Sequence, residues 1–485
     1  MSAVKEGTVL IGGSWVEAGS GGYEVINPAT EKLVGHAPEC SRQDARDAAA
    51  AARAAFDEWS RTTQEDRAAI LSRAADLLMA RNDELVPLVQ AETGATIRVA
   101  STMQVPLVAA RFRRYAQIEP NQIPLPPFQA PSTALAAGGI VNAVAIRQPV
   151  GVVACITPYN FPIVNAAGKI GPALAMGNTI VVKPAPQNPL AVLELVAVLE
   201  EAGVPPGVVN VVTGSSAETG AALVDSPDVD MVSFTGSTVV GARIAEAGGR
   251  TMKRLLLELG GKGAAVVFDD ASIDTAVAGI ASTWGFHSGQ ICTAPTRVIA
   301  QRGVYDQLVE KLAIAAQYLK VGDPLAEDTL VGPVISAAAR DRIEGYVATG
   351  RAEGAEVVVG GTRPDVAPGY YVAPTLLAGC RQDMTPVQEE IFGPVVVALA
   401  FDDDEEGIAM ANSTPFGLYD YVFTGDYSKG LDVAKRLRSG NVGINTAQRN
   451  NEAPFGGFKM SGVGRDGGSF GLHAYSELQS VVWAS

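Results

Sequence analysis

At 485 residues the chain is too long for one ordinary core, since chains beyond about 250–300 residues split into domains, and two or three domains are expected. Its net charge of −15 excludes nucleic acid as a partner, because few basic groups are left to neutralise phosphates. A hydrophobic fraction of 47% with 18% charged residues reads as a soluble globular protein, and no uncharged apolar run reaches the ~18 residues of a membrane span.

Residues 9–11 and 23–26 read as short strands around the Gly12-Gly13 and Gly21-Gly22 turns. The period then changes. Residues 44–59 are Ala-rich with apolar positions at helical spacing, Thr63 with Asp66 forms an N-cap signature for a second helix, and a third follows Asn82. From about residue 150 strands and helices alternate. Residues 151–156, 179–182, 208–212, 231–234 and 264–268 are short runs rich in Val and Ile, with helical stretches such as 190–202 between them. That alternation predicts a parallel sheet with crossover helices. A second α/β series runs from about 274 to 445. The Pro- and Ala-rich stretch 124–138 interrupts the first series, and residues 140–147 and 480–483 look like strands belonging to neither sheet. No internal repeat is present.

The four cysteines, Cys40, Cys155, Cys292 and Cys380, are too scattered for a disulfide framework, which suggests a reducing cytoplasm. Residues 1–8 lack the apolar core of a signal peptide. None of the three histidines, His36, His287 and His473, stands in metal-ligand spacing, so no metal site is expected.

Three short stretches invite a chemical reading. In Phe234-Thr235-Gly236-Ser237 a strand ends in glycine and a helix starts, which offers backbone N–H groups and the positive helix end to a phosphate. Most α/β proteins have such a turn for steric reasons alone. In Leu257-Glu258-Leu259-Gly260-Gly261-Lys262 a carboxylate sits in an apolar run, where burial would raise its pKa toward that of a useful base; an ordinary ion-paired acid would look the same. In Gly289-Gln290-Ile291-Cys292 the cysteine is either an inert filler or a nucleophile. Cys155 lies in an apolar run and reads as core, and Cys380 has no evident role.

Taken together, Thr157-Pro158-Tyr159-Asn160-Phe161-Pro162, Val182-Lys183-Pro184, Phe234-Thr235-Gly236-Ser237, Leu257-Glu258-Leu259-Gly260-Gly261-Lys262, Gly289-Gln290-Ile291-Cys292, Glu389-Glu390-Ile391-Phe392-Gly393-Pro394 and Pro454-Phe455-Gly456-Gly457-Phe458-Lys459 resemble the aldehyde dehydrogenase superfamily, in its order and over nearly the whole chain. The resemblance implies an α/β fold with a Rossmann-like parallel-sheet domain (1–128 and 148–259), a second α/β catalytic domain (260–452), and a small β oligomerisation arm with the C-terminal tail (129–147 and 453–485). It implies a homodimer or homotetramer. It also implies oxidation of an aldehyde to the acid with NAD or NADP. Cys292 would be the nucleophile, Asn160 with the Cys292 N–H the oxyanion donor, and Glu258 the base that activates water; Lys169 belongs to a proton relay in some members. Thr157, Pro158, Lys183, Ala185, Pro186, Gly214, Phe234, Gly236, Ser237, Leu259, Glu390 and Phe392 would face the cofactor.

Departures from the family pattern carry expectations of their own. Pro186 stands where many NAD-preferring members have Glu, so both cofactors are expected to serve. Tyr159 replaces the commoner Trp, His287 stands where Asn is usual, and Asp466 replaces the relay Glu. Gly168 stands where several relatives place a bulky aromatic in the substrate tunnel, which suggests room for an aromatic aldehyde; Asn165 and Arg449 add polar groups near that tunnel. Two other readings compete: a CoA-acylating semialdehyde dehydrogenase, whose members typically lack the Glu matching Glu258, and a catalytically silent binding protein on the same scaffold.

Overall fold

The computed structural model describes residues 7–484; residues 1–6 and 485, and with them most of the stretch that argued against a signal peptide, lie outside the described residues. The first long helix, Arg42–Ser60, opens with a capping box in which the Ser41 hydroxyl accepts from Asp44 N and the Asp44 carboxylate accepts from Ser41 N. It buries Ala45, Ala48, Ala49 and Ala52, one face at helical spacing, so its backbone lies close against the sheet beneath. Thr63 caps the next helix, Gln64–Ala80, by accepting from Asp66 N, and Asn82–Thr93 follows. Two further helices, Ile97–Met103 and Val105–Tyr115, are not announced by the spacing.

A 6-stranded sheet runs in the order Gly462–Val463, Arg254–Glu258, Met231–Thr235, Val152–Ile156, Thr179–Lys183, Val209–Val211. It is parallel except where Gly462–Val463 pairs antiparallel with Arg254–Glu258. The strands Val152–Ile156 and Thr179–Lys183 are buried along their whole length, which is why they read as unbroken apolar runs rather than alternations. One large apolar cluster wraps this sheet.

A 7-stranded sheet follows, in the order Glu356–Val359, Thr375–Ala378, Val395–Phe401, Arg297–Gln301, Ala264–Val267, Tyr419–Phe423, Asn441–Ile444. Its two faces carry separate apolar clusters. Ala264–Val267 belongs here and not to the first series, contrary to the sequence expectation: the chain leaves the first sheet after Glu258 and pairs next with Arg297–Gln301.

The two stray strands do lie outside both sheets. Ser476–Ala484 and Gly139–Pro149 pair antiparallel, and Gln122–Ala130 adds a third strand. That outer strand spans residues read from sequence as an irregular Pro-rich interruption. Pro124, Pro126 and Pro127 are tolerated because it is an edge strand, with a register shift between Leu125 and Phe128, and an edge strand need not donate every ladder bond. The sheet therefore starts before residue 129, and the tail after 453 is shared between it and the first sheet.

Glycine is indispensable where the tail meets the first sheet. Gly462 has φ +132, and a Cβ there would lie 1.9 Å from Leu257 O. Gly462→Ala should cost about 1–3 kcal/mol through overpacking against a backbone that cannot yield. Gly220→Ala, in the helix Glu218–Asp225 with nothing within 4 Å of the added methyl, should instead be neutral or add about 0.4–1 kcal/mol. Urea midpoints of the two variants check the contrast.

Candidate active site

The first sheet delivers five site segments from the carboxyl ends of its parallel strands, the place where open α/β sheets bind ligands. Thr157 follows Val152–Ile156, Lys183 ends Thr179–Lys183 and is followed by Ala185 and Pro186, Gly214 follows Val209–Val211, Gly236 and Ser237 follow Met231–Thr235, and Glu258 ends its strand. Ser237 is the N-cap of helix Thr238–Gly249. Gly236 is required because a Cβ would strike the Phe234 ring at 2.5 Å. Leu259 lies 2.4 Å from the Cβ position of Gly241 and closes the underside of that helix.

These residues suit a nicotinamide dinucleotide. The Thr157 hydroxyl is buried with no partner among the described residues. Lys183 is buried and donates only to Pro184 O at 3.0 Å; desolvation lowers its pKa to about 8, which still leaves it mostly cationic at neutral pH. Glu39, unremarked in the sequence, takes two contacts from Ser215 N at 3.1 and 2.9 Å and is the foremost charge acting on Lys183. Glu390 accepts from Gly261 N at 2.9 Å, and burial pushes its carboxyl up to about 6. Phe392, held at φ 54, meets Tyr159 edge-on with ring centroids 5.9 Å apart. Pro158, Pro186 and Phe392 are each half-buried.

Between the sheets run Leu259, Gly260, Gly261 and Lys262. A Cβ on Gly260 would meet Glu390 at 2.4 Å, and one on Gly261 would meet Cys292 O at 2.5 Å, so the two glycines let the Glu390 carboxylate and the cysteine loop close on the same backbone. That loop is itself strained. His287, Ser288 and Gly289 have φ of 48, 57 and 69, and Gly289 has no room for a Cβ, which would lie 2.3 Å from Gly393 O. Tyr421 OH donates to Thr293 O at 2.6 Å and Ser288 Oγ to Gly332 O at 2.8 Å. The loop is pinned on both sides of Cys292.

Cys292 is the half-buried cysteine; Cys40, Cys155 and Cys380 are buried. Burial raises its thiol to about 12, opposed first by the charge of Arg449, so it starts as a thiol. Asn160 is buried, and its amide donates to Gln290 O at 2.9 Å, which brings it to the cysteine loop. Asn165 Nδ2 approaches Asn160 Oδ1 at 3.4 Å. His287 is buried with its ring centroid 4.9 Å from that of Phe161; desolvation lowers it to about 4, so its ring is neutral. Neither oxygen of the buried Glu258 has a hydrogen-bond partner among the described residues. Burial, with Asp466 nearby, raises its pKa well above the ordinary value. Lys169 is buried and donates to Ser233 Oγ at 3.0 Å, which contacts Tyr475 OH at 2.8 Å; it makes no ion pair with Asp466.

The structure corrects the reading of Gly168. A Cβ there would lie 2.4 Å from Arg111 Nη1. The missing side chain makes room for a guanidinium, not for a substrate ring. Arg111 comes from Val105–Tyr115, and nothing in its local sequence marks it, because its meeting with Gly168 is made only by helix packing.

Comparison with known proteins agrees with this geometry. The aldehyde dehydrogenase family model matches residues 15–481. The mitochondrial succinate-semialdehyde dehydrogenase of Arabidopsis thaliana is 38% identical over 97% of this chain and 88% of its own. A crystal structure of a betaine aldehyde dehydrogenase point mutant from Staphylococcus aureus, in complex with NAD+, superposes with TM-score 0.93 at 34% identity, over 98% of this chain and 96% of that one. An NADP-dependent enzyme from E. coli superposes with TM-score 0.93 at 37% identity, over 99% and 98%. The chain belongs to the aldehyde dehydrogenase family and oxidises an aldehyde with NAD(P)+.

Proposed function

We propose that oxidation proceeds through a thioester on Cys292 that water, activated by Glu258, hydrolyses. The observation that carries this reading is Glu258 itself: a buried carboxylate with both oxygens uncommitted and a raised pKa is equipped to take a proton from water. The Cys292 sulfur adds to the aldehyde carbon, and its proton passes to a base. The Asn160 amide, released from Gln290 O, and the Cys292 N–H hold the oxyanion. A bound nicotinamide cofactor supplies the hydride acceptor. Lys183 and Glu390 would hold its ribose hydroxyls, Ser237 and the N–H groups behind it would receive the pyrophosphate, and Phe392 would pack beside the nicotinamide ribose. Lys169, hydrogen-bonded to Ser233 and through it to Tyr475, lies close enough for its charge to act on Glu258. Glu258 also speaks against the CoA-acylating alternative, which has no need of a water-activating base, and against a silent scaffold.

The domain division of the sequence reading is kept as a proposal, with two adjustments: the arm begins near Gln122, and Gly462–Val463 stays with the first sheet. Exposed Phe128, Val482 and Trp483 on the three-stranded sheet suit burial against a second copy, so a dimer or tetramer is expected. Sedimentation at monomer mass would refute it. A reducing cytoplasm fits the four free cysteines. An aromatic aldehyde remains compatible with the site only if its ring lies clear of Arg111.

Cys292→Ala should abolish aldehyde oxidation while cofactor binding, read by fluorescence titration, stays near wild type; wild-type turnover in this variant ends the thioester scheme. Glu258→Gln should slow turnover by about 10²–10⁴-fold while a burst of reduced cofactor persists and an acyl adduct appears by mass spectrometry. Because burial raises Glu258, wild-type turnover should fall as the pH drops through a value above the ordinary carboxylate range, and Glu258→Gln should remove that limb.

Cofactor choice turns on Pro186. It offers neither the ribose contact nor the repulsion toward a 2′-phosphate that a carboxylate there would supply, and Lys183 remains to attract one. Both NAD+ and NADP+ should therefore be reduced at measurable rates. Pro186→Glu should move the kcat/KM ratio toward NAD+ by about 10-fold or more. If the wild type rejects NADP+ outright, Glu39 or another group makes the choice.

A further inference from the structure

The two buried arginines among the described residues, Arg67 and Arg297, are plainly structural. Arg297 donates to Lys262 O, Met410 O and Ala411 O at 2.9, 3.0 and 2.8 Å, and Arg67 to Ala175 O and Thr62 O. Each has its donors committed to backbone carbonyls.

Arg111 and Arg449 differ. Arg111 donates to a single carbonyl, Val164 O at 2.7 Å, on the helix Pro162–Ala175 that also carries Asn165, Gly168 and Lys169. Arg449 has no hydrogen bond among the described residues and lies 3.8 Å over the Phe455 ring. Neither makes a salt bridge among the described residues. Yet each is within electrostatic reach of the other, and Arg449 acts on both Cys292 and Glu258. Asp466 is the carboxylate whose charge acts on Arg111; it accepts from Gly467 N at 2.7 Å and approaches Gly168 with its other oxygen, without an ion pair to either arginine. Arg449 is exposed and Arg111 half-buried, and in a chain of net charge −15 both guanidinium groups are left without a salt bridge among the described residues. A guanidinium with donors to spare is a ready partner for a carboxylate, which it can hold through paired hydrogen bonds.

We infer that the aldehyde oxidised here carries a carboxylate at the end remote from its carbonyl, received by the guanidinium groups of Arg111 and Arg449. This rests on the aldehyde-oxidising reading of Cys292 and Glu258 and names the substrate class for that site. Gly168 is part of the device, since any side chain there would displace the Arg111 guanidinium. A cationic aldehyde is disfavoured by the same charges, and a neutral one leaves both arginines unanswered. An aromatic ring is admitted where a carboxylate substituent points at Arg111.

The test compares kcat/KM, followed by NAD(P)H absorbance, for succinic semialdehyde, pentanal and betaine aldehyde, which differ chiefly in the charge remote from the carbonyl. The carboxylate-bearing aldehyde should exceed pentanal by about 10-fold or more, betaine aldehyde should rank last, and the preference should shrink as salt rises. Arg111→Met and Arg449→Gln should each lower the ratio of carboxylate-bearing to neutral aldehyde by about 10-fold. Pentanal matching or exceeding the anion in the wild-type enzyme overturns the inference, as does an unchanged ratio in both variants. Should Arg111→Met fail to fold, the wild-type panel and the exposed Arg449 position decide. Turnover of pentanal alone leaves aldehyde oxidation standing and removes only the carboxylate; no reduced cofactor with any aldehyde overturns both.

Discussion

The passage of the backbone from one sheet to the other, through Gly260 and Gly261, is the constraint on which this site depends. Glu258 is the last residue of a strand in the first sheet, and Ala264 begins one in the second. Between them the chain must let Glu390 approach from one side and the Cys292 loop from the other, each within the space a Cβ would fill. A side chain at either glycine would push base, nucleophile loop and Glu390 carboxylate apart together. Geometry of this kind is held to fractions of an ångström because three segments share one backbone, not because any single contact is strong.

What that crossing encloses is dry, and dryness sets the chemistry. Desolvation raises Glu258 and Cys292 and lowers Lys169, Lys183 and His287. The thiol therefore starts protonated, and the carboxylate keeps its proton to a higher pH than usual. The charge of the exposed Arg449 opposes the rise at the thiol.

Much of this was legible in the chain. Strand-ending Thr157, Lys183, Gly236 and Glu258 lie inside motifs whose apolar runs declare buried parallel strands, and Thr63 with Asp66 declares a helix start. Other features were not. Residues 124–130 looked irregular because prolines veto a central strand and are silent about an edge. Ala264–Val267 looked like a continuation of the first sheet because periodicity says what a segment is and never which sheet receives it. The vacancy at Gly168 looked like space because a sequence lists what is missing from a position, not what moves in.

By itself, then, the sequence determined the local grammar: for most segments, whether they are strands or helices, and which turn needs glycine. These depend on neighbours within a few residues, so they are written along the chain. Tertiary structure alone decided that the tail at Gly462 completes the strand bearing Glu258, that Lys169 answers to Ser233 and Tyr475 and not to Asp466, and that Arg111, 57 residues before Gly168, fills the place of its absent side chain. Those outcomes depend on how helices and sheets pack, a property of distances through space that no spacing along the sequence records.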